Sequence, residues 1–190
     1  MQVKRLLTIG AGALACGIAN YALGFAAHAL SLPLYFDSIF TIFSVAALGP
    51  VAGLVTAVVS NAALSATKDV LLPFMACNLA TALCAWLVKR RKGLESLEGY
   101  LWVGLWSGIS NGLLGSIISA FVFDGYTKVH KIDNLVSGFM IAGQSLVGSV
   151  FLAGFVTNLV DKMLAAIAAF GLGILVARTR AQSARPSRLA

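Results

Sequence analysis

The sequence predicts an all-α integral membrane protein: a six-transmembrane-helix bundle with a partly buried outer segment before the last helix. Three observations predict it. Of 190 residues, 59% are hydrophobic and only 11% charged, whereas a soluble domain carries about 25% charged residues. A water-facing surface cannot be covered from so few. Apolar runs recur along the chain; at about 20 residues per span, roughly six or seven helices and no separate soluble domain fit. The basic residues fall at the ends of those runs: Lys4 and Arg5, then Lys89, Arg90, Arg91 and Lys92, then Arg178, Arg180, Arg185 and Arg188. That is the positive-inside distribution, and it accounts for the net charge of +7 better than nucleic-acid binding does. Domain limits follow: residues 1–178 form one transmembrane unit, and 179–190 a basic cytoplasmic tail whose natural contact is anionic lipid.

The first helix is expected from about Leu6 to Leu30. The stretch also has features of a secretory signal, with Ala27-His28-Ala29 as a cleavage site; its apolar run exceeds a signal core, so an uncleaved span is expected. Ala11, Ala15 and Ala19 recur every four residues, and Ala22 and Ala26 continue the small stripe. Such spacing lets another helix approach closely, either a neighbour in the same chain or another subunit.

Ser31 to Phe36 reads as a short outer loop. The second helix, Asp37 to Leu48, is too short for a perpendicular span. It ends at Gly49-Pro50, because proline cannot continue a helix and the residue before it avoids helical geometry. The third runs from Pro50 to about Ala66. A turn at Thr67, Lys68 and Asp69 leads to the fourth, Leu71 to Val88, with Pro73 in its first turn. Four spans then return the chain to the basic loop at 89–92. Glu95 and Glu98 belong to a polar connection, and the fifth helix covers Tyr100 to Phe123. Trp86, Trp102 and Trp106 suit interfacial anchors.

Asp124 to Asn134 reads as a polar outer segment, with His130 solvated. The remainder is ambiguous. One helix of about 40 residues would reach some 60 Å, twice the hydrocarbon thickness. The expectation is instead a non-spanning segment, Leu135 to about Thr157, buried in the outer half. A sixth span, Asn158 to Ala177, returns inside. Both termini are then cytoplasmic, in the cell (inner) membrane.

This topology gathers the embedded polar residues toward the outer face: Asp37, Asn61, Asn78, Ser116, Ser119, Gln144, Asn158, Asp161 and Lys162. Ionisable groups at membrane depth are costly and sit in cavities or against partners. A pocket open to the outside follows, with Asp37, Asn61, Asn78, Ser119, Gln144, Asn158, Asp161 and Lys162 as candidate binding residues. Each has a second reading. Asn61, Asn78 and Asn111 suit interhelical hydrogen bonds. Asp37 suits a helix N-cap. Asp161-Lys162 suits an ion pair or a cap near the start of the sixth helix. His28 suits an interfacial residue. Cys16, Cys77 and Cys84 suit small packing residues.

Catalytic signatures are missing. Gly10-Ala11-Gly12 lies in a span rather than a strand–turn–helix setting, and no GxxxxGK[ST] or HExxH motif occurs. No metal-ligand spacing, cofactor site or catalytic residue is predicted, and the chain is not expected to be an enzyme.

With Leu34-Tyr35-Phe36-Asp37, the Leu48-Gly49-Pro50 turn, Gly53, Ser60-Asn61, the Ala11/Ala15/Ala19 stripe and Asn158-Leu159-Val160-Asp161-Lys162 in view, the chain resembles the substrate-binding (S) components of energy-coupling factor (ECF) transporters. The resemblance implies a six-helix fold that captures a vitamin or related micronutrient near the outer face. It also implies that Ala11, Ala15 and Ala19 dock on a transmembrane coupling subunit, and that two ATPase subunits on other chains supply energy. The Gly/Ser-rich stretch from Leu135 to Thr157 departs from that pattern.

Two other functions stand beside import: a non-transporting membrane sensor or scaffold of the same fold, and a small membrane enzyme such as a lipid-modifying transferase. Neighbouring ATPase genes would favour import and a neighbouring kinase gene sensing; the lack of an output domain in this chain weighs against the sensor. The ligand itself is not legible, although Asp37 and Asp161 with Lys162 suit a molecule carrying both amine and acid.

Overall fold

The computed structural model describes residues 2–67, 72–127 and 129–183. Among these, seven α-helices and one 3-10 turn occur and no strand: α1 Gln2–Ala29, α2 Ile39–Leu48, α3 Pro50–Thr67, the turn Leu72–Phe74 leading into α4 Met75–Lys92, α5 Leu97–Val122, α6 His130–Ile141 and α7 Leu146–Ser183. Five helical units are long and apolar enough to cross a membrane: α1, α3, α4 with its leading turn, α5 and α7. At ten residues, α2 covers about 15 Å, half of a hydrocarbon core. The expected turn at Lys68 and Asp69 lies outside the described residues.

The bundle has two distinct ends. One carries Lys4, Arg5, the Gly49-Pro50 corner, Lys89–Lys92 and the start of α5. The other carries residues 30–33 and 123–127. Gly49 takes φ 107°, a left-handed value that side chains disfavour, and Pro50 opens α3 where its missing N–H costs nothing. The last four carbonyls of a helix have no partner within it. For α2, Lys89 supplies one: its Nζ donates to the Val45 and Ala46 carbonyls at 3.0 and 2.8 Å. Nearby, Arg90 lies over the Trp86 ring and Lys92 over Trp102.

The apolar core lies between α2, α4, α5 and α7, built on Ile42, Val45, Ala82, Ala85, Val103, Ala165, Ala166 and Ala169. The α5–α7 contact is the most extensive in the bundle, for a sequence reason. Gly104, Gly108 and Gly112 recur every four residues along α5. A Cβ on any of them would meet α7 backbone: the Met163 Cα at 3.0 Å, the Leu159 Cα at 2.9 Å and the Phe155 Cα at 3.1 Å respectively. Without hydrophobic driving force between helices in lipid, such close backbone approach supplies the attraction.

α1 packs on α3 through the face bearing Ala13, Gly17 and Asn20; Thr56 Oγ1 donates to the Ala13 carbonyl at 3.1 Å, and Gly17 sits against Val59. Ala11, Ala15, Ala22 and Ala26 are exposed and Ala19 is half-buried. The alanine stripe thus faces away from the bundle and is not an internal packing seam.

The last third corrects the sequence reading. Leu135–Thr157 is not one non-spanning segment, and the last helix does not start at Asn158. α6 ends at Ile141, residues 142–145 turn, and α7 runs for 38 residues. A helix of about 57 Å is accommodated because α6 folds back along its first turns. There Val136, Val150 and Ala153 make a small core of their own, and Ser116 Oγ donates to the Val150 carbonyl. The glycines and serines that suggested irregular backbone serve close packing instead: Gly154 admits Ser116. At the far end, the boundary expected at 178/179 falls within α7. Residues 184–190 lie outside the described residues.

Candidate ligand-binding site

After α1 the chain re-enters the bundle. Leu30, Ser31 and Pro33 stay exposed while residues 34–38 turn inward, and α2 starts at the depth of Asn20, whose Oδ1 accepts from the Phe40 N–H at 2.8 Å and whose Nδ2 donates to Thr41 Oγ1 at 2.8 Å. Non-helical backbone at membrane depth must find partners in protein. Asp161 provides them: its Oδ1 accepts from the Tyr35 and Phe36 N–H groups, both at 2.9 Å. Phe36, at φ 51°, is held in the left-handed region by this clamp.

Asp161 Oδ2 in turn accepts from Lys162 Nζ at 2.6 Å. The same ammonium donates to Ser38 Oγ at 2.6 Å and Asp37 Oδ1 at 3.0 Å. Ser38 Oγ also donates to Asp37 Oδ1 at 2.7 Å. Side-chain exposure is 0% for Asp161, 3% for Lys162 and 23% for Asp37, so Asp37 is the member of the cluster most open to a solute. The Lys162 ammonium also lies 5.6 Å from the centroid of the Tyr35 ring, close enough for the ring face to attract it.

Beside this ion cluster lies a cavity of about 60 Å³. Its wall comprises Gly24 and His28 of α1, Leu34, Tyr35 and Asp37 of the re-entrant segment, Asn61 and Leu64 of α3, Phe74 and Cys77 at the start of α4, Gly115 of α5, Thr127 and Val129, and Asn158 and Lys162 of α7. Thr127 is pinned by Asp133, whose Oδ1 accepts from its N–H and its hydroxyl, both at 2.7 Å. Phe123 stacks on Phe74 with ring centroids 5.6 Å apart. Thr127, Val129 and the Phe74–Phe123 stack therefore border one side of the cavity.

Of the sequence-predicted binding residues, Asp37, Asn61, Asn158 and Lys162 meet at the cavity. Asn78 stands behind it, donating to the Asp37 carbonyl at 3.0 Å and to Ser60 Oγ at 3.3 Å. Asp161 is sealed behind the re-entrant backbone and lies well inside α7, which starts at Leu146, so it caps nothing on α7. Ser119 is buried within the bundle and is not part of the wall. Gln144 is exposed in the turn between α6 and α7, which places it away from the cavity. Asp37 is not the α2 cap: Ser38 holds that position, without a side-chain capping bond. Asn111 bridges helices, donating to Thr81 Oγ1 at 2.9 Å. His28, Cys77 and Thr127 are wall residues that sequence reasoning misses. A signal for His28 does exist, since Asn20, Gly24 and His28 recur every four residues and so share one face.

Among the described residues no three metal-ligating side chains converge. Protein-family models, characterised proteins and solved structures all return no match to this chain.

Proposed function

We propose that this protein is the substrate-binding membrane subunit of an ATP-driven importer of the ECF type, taking a vitamin-class micronutrient into the cavity beside Lys162. The observation that carries this reading is the buried Asp37–Lys162–Asp161 cluster. It lies at one end of a bundle whose opposite end holds an apolar core and the basic residues. Ionisable groups inside a membrane protein mark a solute path or site more often than they serve stability. The exposed Ala11 and Ala15 suit a close-packing helix of a coupling subunit, and ATPase subunits on other chains would supply energy. In this reading α2, with the segment leading into it, is the sixth span. The basic end then faces the cytoplasm with both termini, by the positive-inside rule, and the protein itself catalyses nothing.

Ligand sites ordinarily measure about 300–1,000 Å³, several times the cavity's about 60 Å³. The cavity therefore has to enlarge, and residues 123–127 with the Phe74–Phe123 stack are the parts placed to swing away. A thermal-shift screen of micronutrients on detergent-solubilised protein tests the reading. At least one should raise the melting temperature, and the protein should co-purify with a coupling subunit when the two are expressed together. Failure of both ends this proposal.

A further inference from the structure

The charge of the ligand follows from how the wall's polar atoms are already engaged, granted the proposal that the cavity is a ligand site. An ammonium has three N–H donors. Those of Lys162 go to Asp37, Ser38 and Asp161, so none is left for a carboxylate on a ligand. The sequence suits a ligand bearing both amine and acid; in the folded site the acid half loses its partner.

The acceptors tell the opposite story. Asp37 receives both of its bonds on Oδ1, and it is the one carboxylate of the cluster with an exposed face. Asn61 Nδ2 donates to the Ala57 carbonyl, and Asn158 Nδ2 to the Gly154 carbonyl, each at 2.9 Å and one turn back in its own helix. One N–H of each amide is engaged in this way, which fixes the flips and leaves each Oδ1 unbonded; the second N–H of each remains a neutral donor, so rejection of a carboxylate rests on the charge of the cluster. Neither oxygen accepts a hydrogen bond from a described residue, and both side chains line the cavity. The cluster itself sums two carboxylates against one ammonium, a net charge of −1 held in low dielectric, where an unmatched charge is costly. The described arginines and the Lys89–Lys92 group lie at the opposite end of the bundle; at the site end Lys131 is exposed, and His28 is the one described basic side chain in the wall besides Lys162.

We infer that the cavity selects an organic cation with N–H donors, an ammonium or amidinium, and rejects carboxylates: Asp37 Oδ2 would take the charge, and the Asn61 and Asn158 oxygens would take the remaining N–H groups.

Three probes of one shape test this: benzamidinium, benzamide and benzoate, carrying +1, 0 and −1. Binding to the full-length protein in nanodiscs at pH 7 is measured by calorimetry and thermal shift. Benzamidinium should bind about tenfold or more tighter than benzamide, the margin of a charge-assisted over a neutral hydrogen bond, and benzoate should not bind. Asp37→Asn should erase the benzamidinium preference. If that variant fails to fold, Asn61→Ala, which leaves the ion cluster intact, should weaken benzamidinium several-fold. Benzoate or benzamide binding as well as benzamidinium, with sensitivity to Asn61→Ala, overturns the cation assignment and leaves the cavity a ligand site. Binding indifferent to both variants, or no binding by these probes together with a blank micronutrient screen, overturns the cation assignment along with the ligand-site reading.

Discussion

Lys162 bonds both to its chain neighbour Asp161 and to Asp37, 125 positions earlier. The ammonium thereby ties α7 to the segment that re-enters after α1, while Asp161 holds the backbone of that same segment. Removing the cation leaves two buried carboxylates facing one another. Lys162→Met should therefore destabilise the protein by about 3–5 kcal/mol, the cost of breaking a buried pair, read as a lowered unfolding midpoint in detergent. Asp161→Asn keeps an oxygen for the Tyr35 and Phe36 N–H groups and removes one charge. The double variant should lose clearly less than the sum of the two singles, because the excess charge left by the first change is relieved by the second. Strict additivity would mean that the two side chains are not energetically coupled.

The α5–α7 seam makes a paired prediction. A Cβ at Gly108 would meet the Leu159 Cα at 2.9 Å, and backbone cannot step aside as a side chain can. Gly108→Ala should cost about 1–3 kcal/mol through overpacking. Gly171 sits on α7, and a methyl group added there would find nothing within 4 Å. Gly171→Ala should stabilise by about 0.5–1 kcal/mol by restricting the unfolded chain. Unfolding midpoints of the two variants should move in opposite directions; a shared direction would mean that close approach is not what distinguishes them.

The two glycines also mark how far the sequence can be read. Helical runs and the Gly49-Pro50 corner are legible because hydropathy and proline act locally. Asp37 and Lys162 are legible because charges inside apolar runs need a reason to be there. The 38-residue α7 is not: the length argument treats hydrocarbon thickness as a limit on one helix, while α6 folding back along its first turns removes that limit. The Gly104/Gly108/Gly112 spacing is as plain as the alanine stripe on α1, and it is the internal seam, whereas the alanines face outward. Spacing shows where close approach is possible and not who approaches. The role of Asp161 is hidden for a different reason. It bonds backbone groups of residues 35 and 36, and which backbone is left unpaired depends on the fold of a segment that a sequence reading places in a surface loop. Gln144 is misplaced by the same error that breaks α7 in two.

Lys89 sits in a basic run that reads as a topology signal, yet its ammonium reaches two carbonyls of α2. A cation at a helix C-terminus also meets the favourable end of the helix dipole. Lys89→Met keeps the aliphatic stem and should destabilise α2 by about 1–3 kcal/mol, the range for hydrogen bonds to a charged group. The local readout is hydrogen exchange: amides of residues 43–49 should lose protection while those of α5 and α7 keep theirs. Arg91→Met, two positions on and exposed, should leave the same amides unchanged.

Ala15 tests the proposed partner surface. Its side chain faces away from the bundle, so a larger residue there meets no group of its own chain, and exposed substitutions of this kind usually stay within about 0.5 kcal/mol. Ala15→Leu should therefore leave the unfolding midpoint and ligand affinity near wild type. A partner helix packed on small residues has no room for a leucine, since the extra volume forces the two backbones apart and removes the contacts that close approach provides. Recovery of a co-expressed coupling subunit with the variant should fall at least several-fold. Ala11→Leu, on the same exposed stripe, should act alike, while Leu14→Ala, exposed beside the stripe, should not. Equal loss of stability and association would assign the stripe to packing within the chain. Unchanged association would leave it facing lipid and remove the coupling subunit from that face of α1.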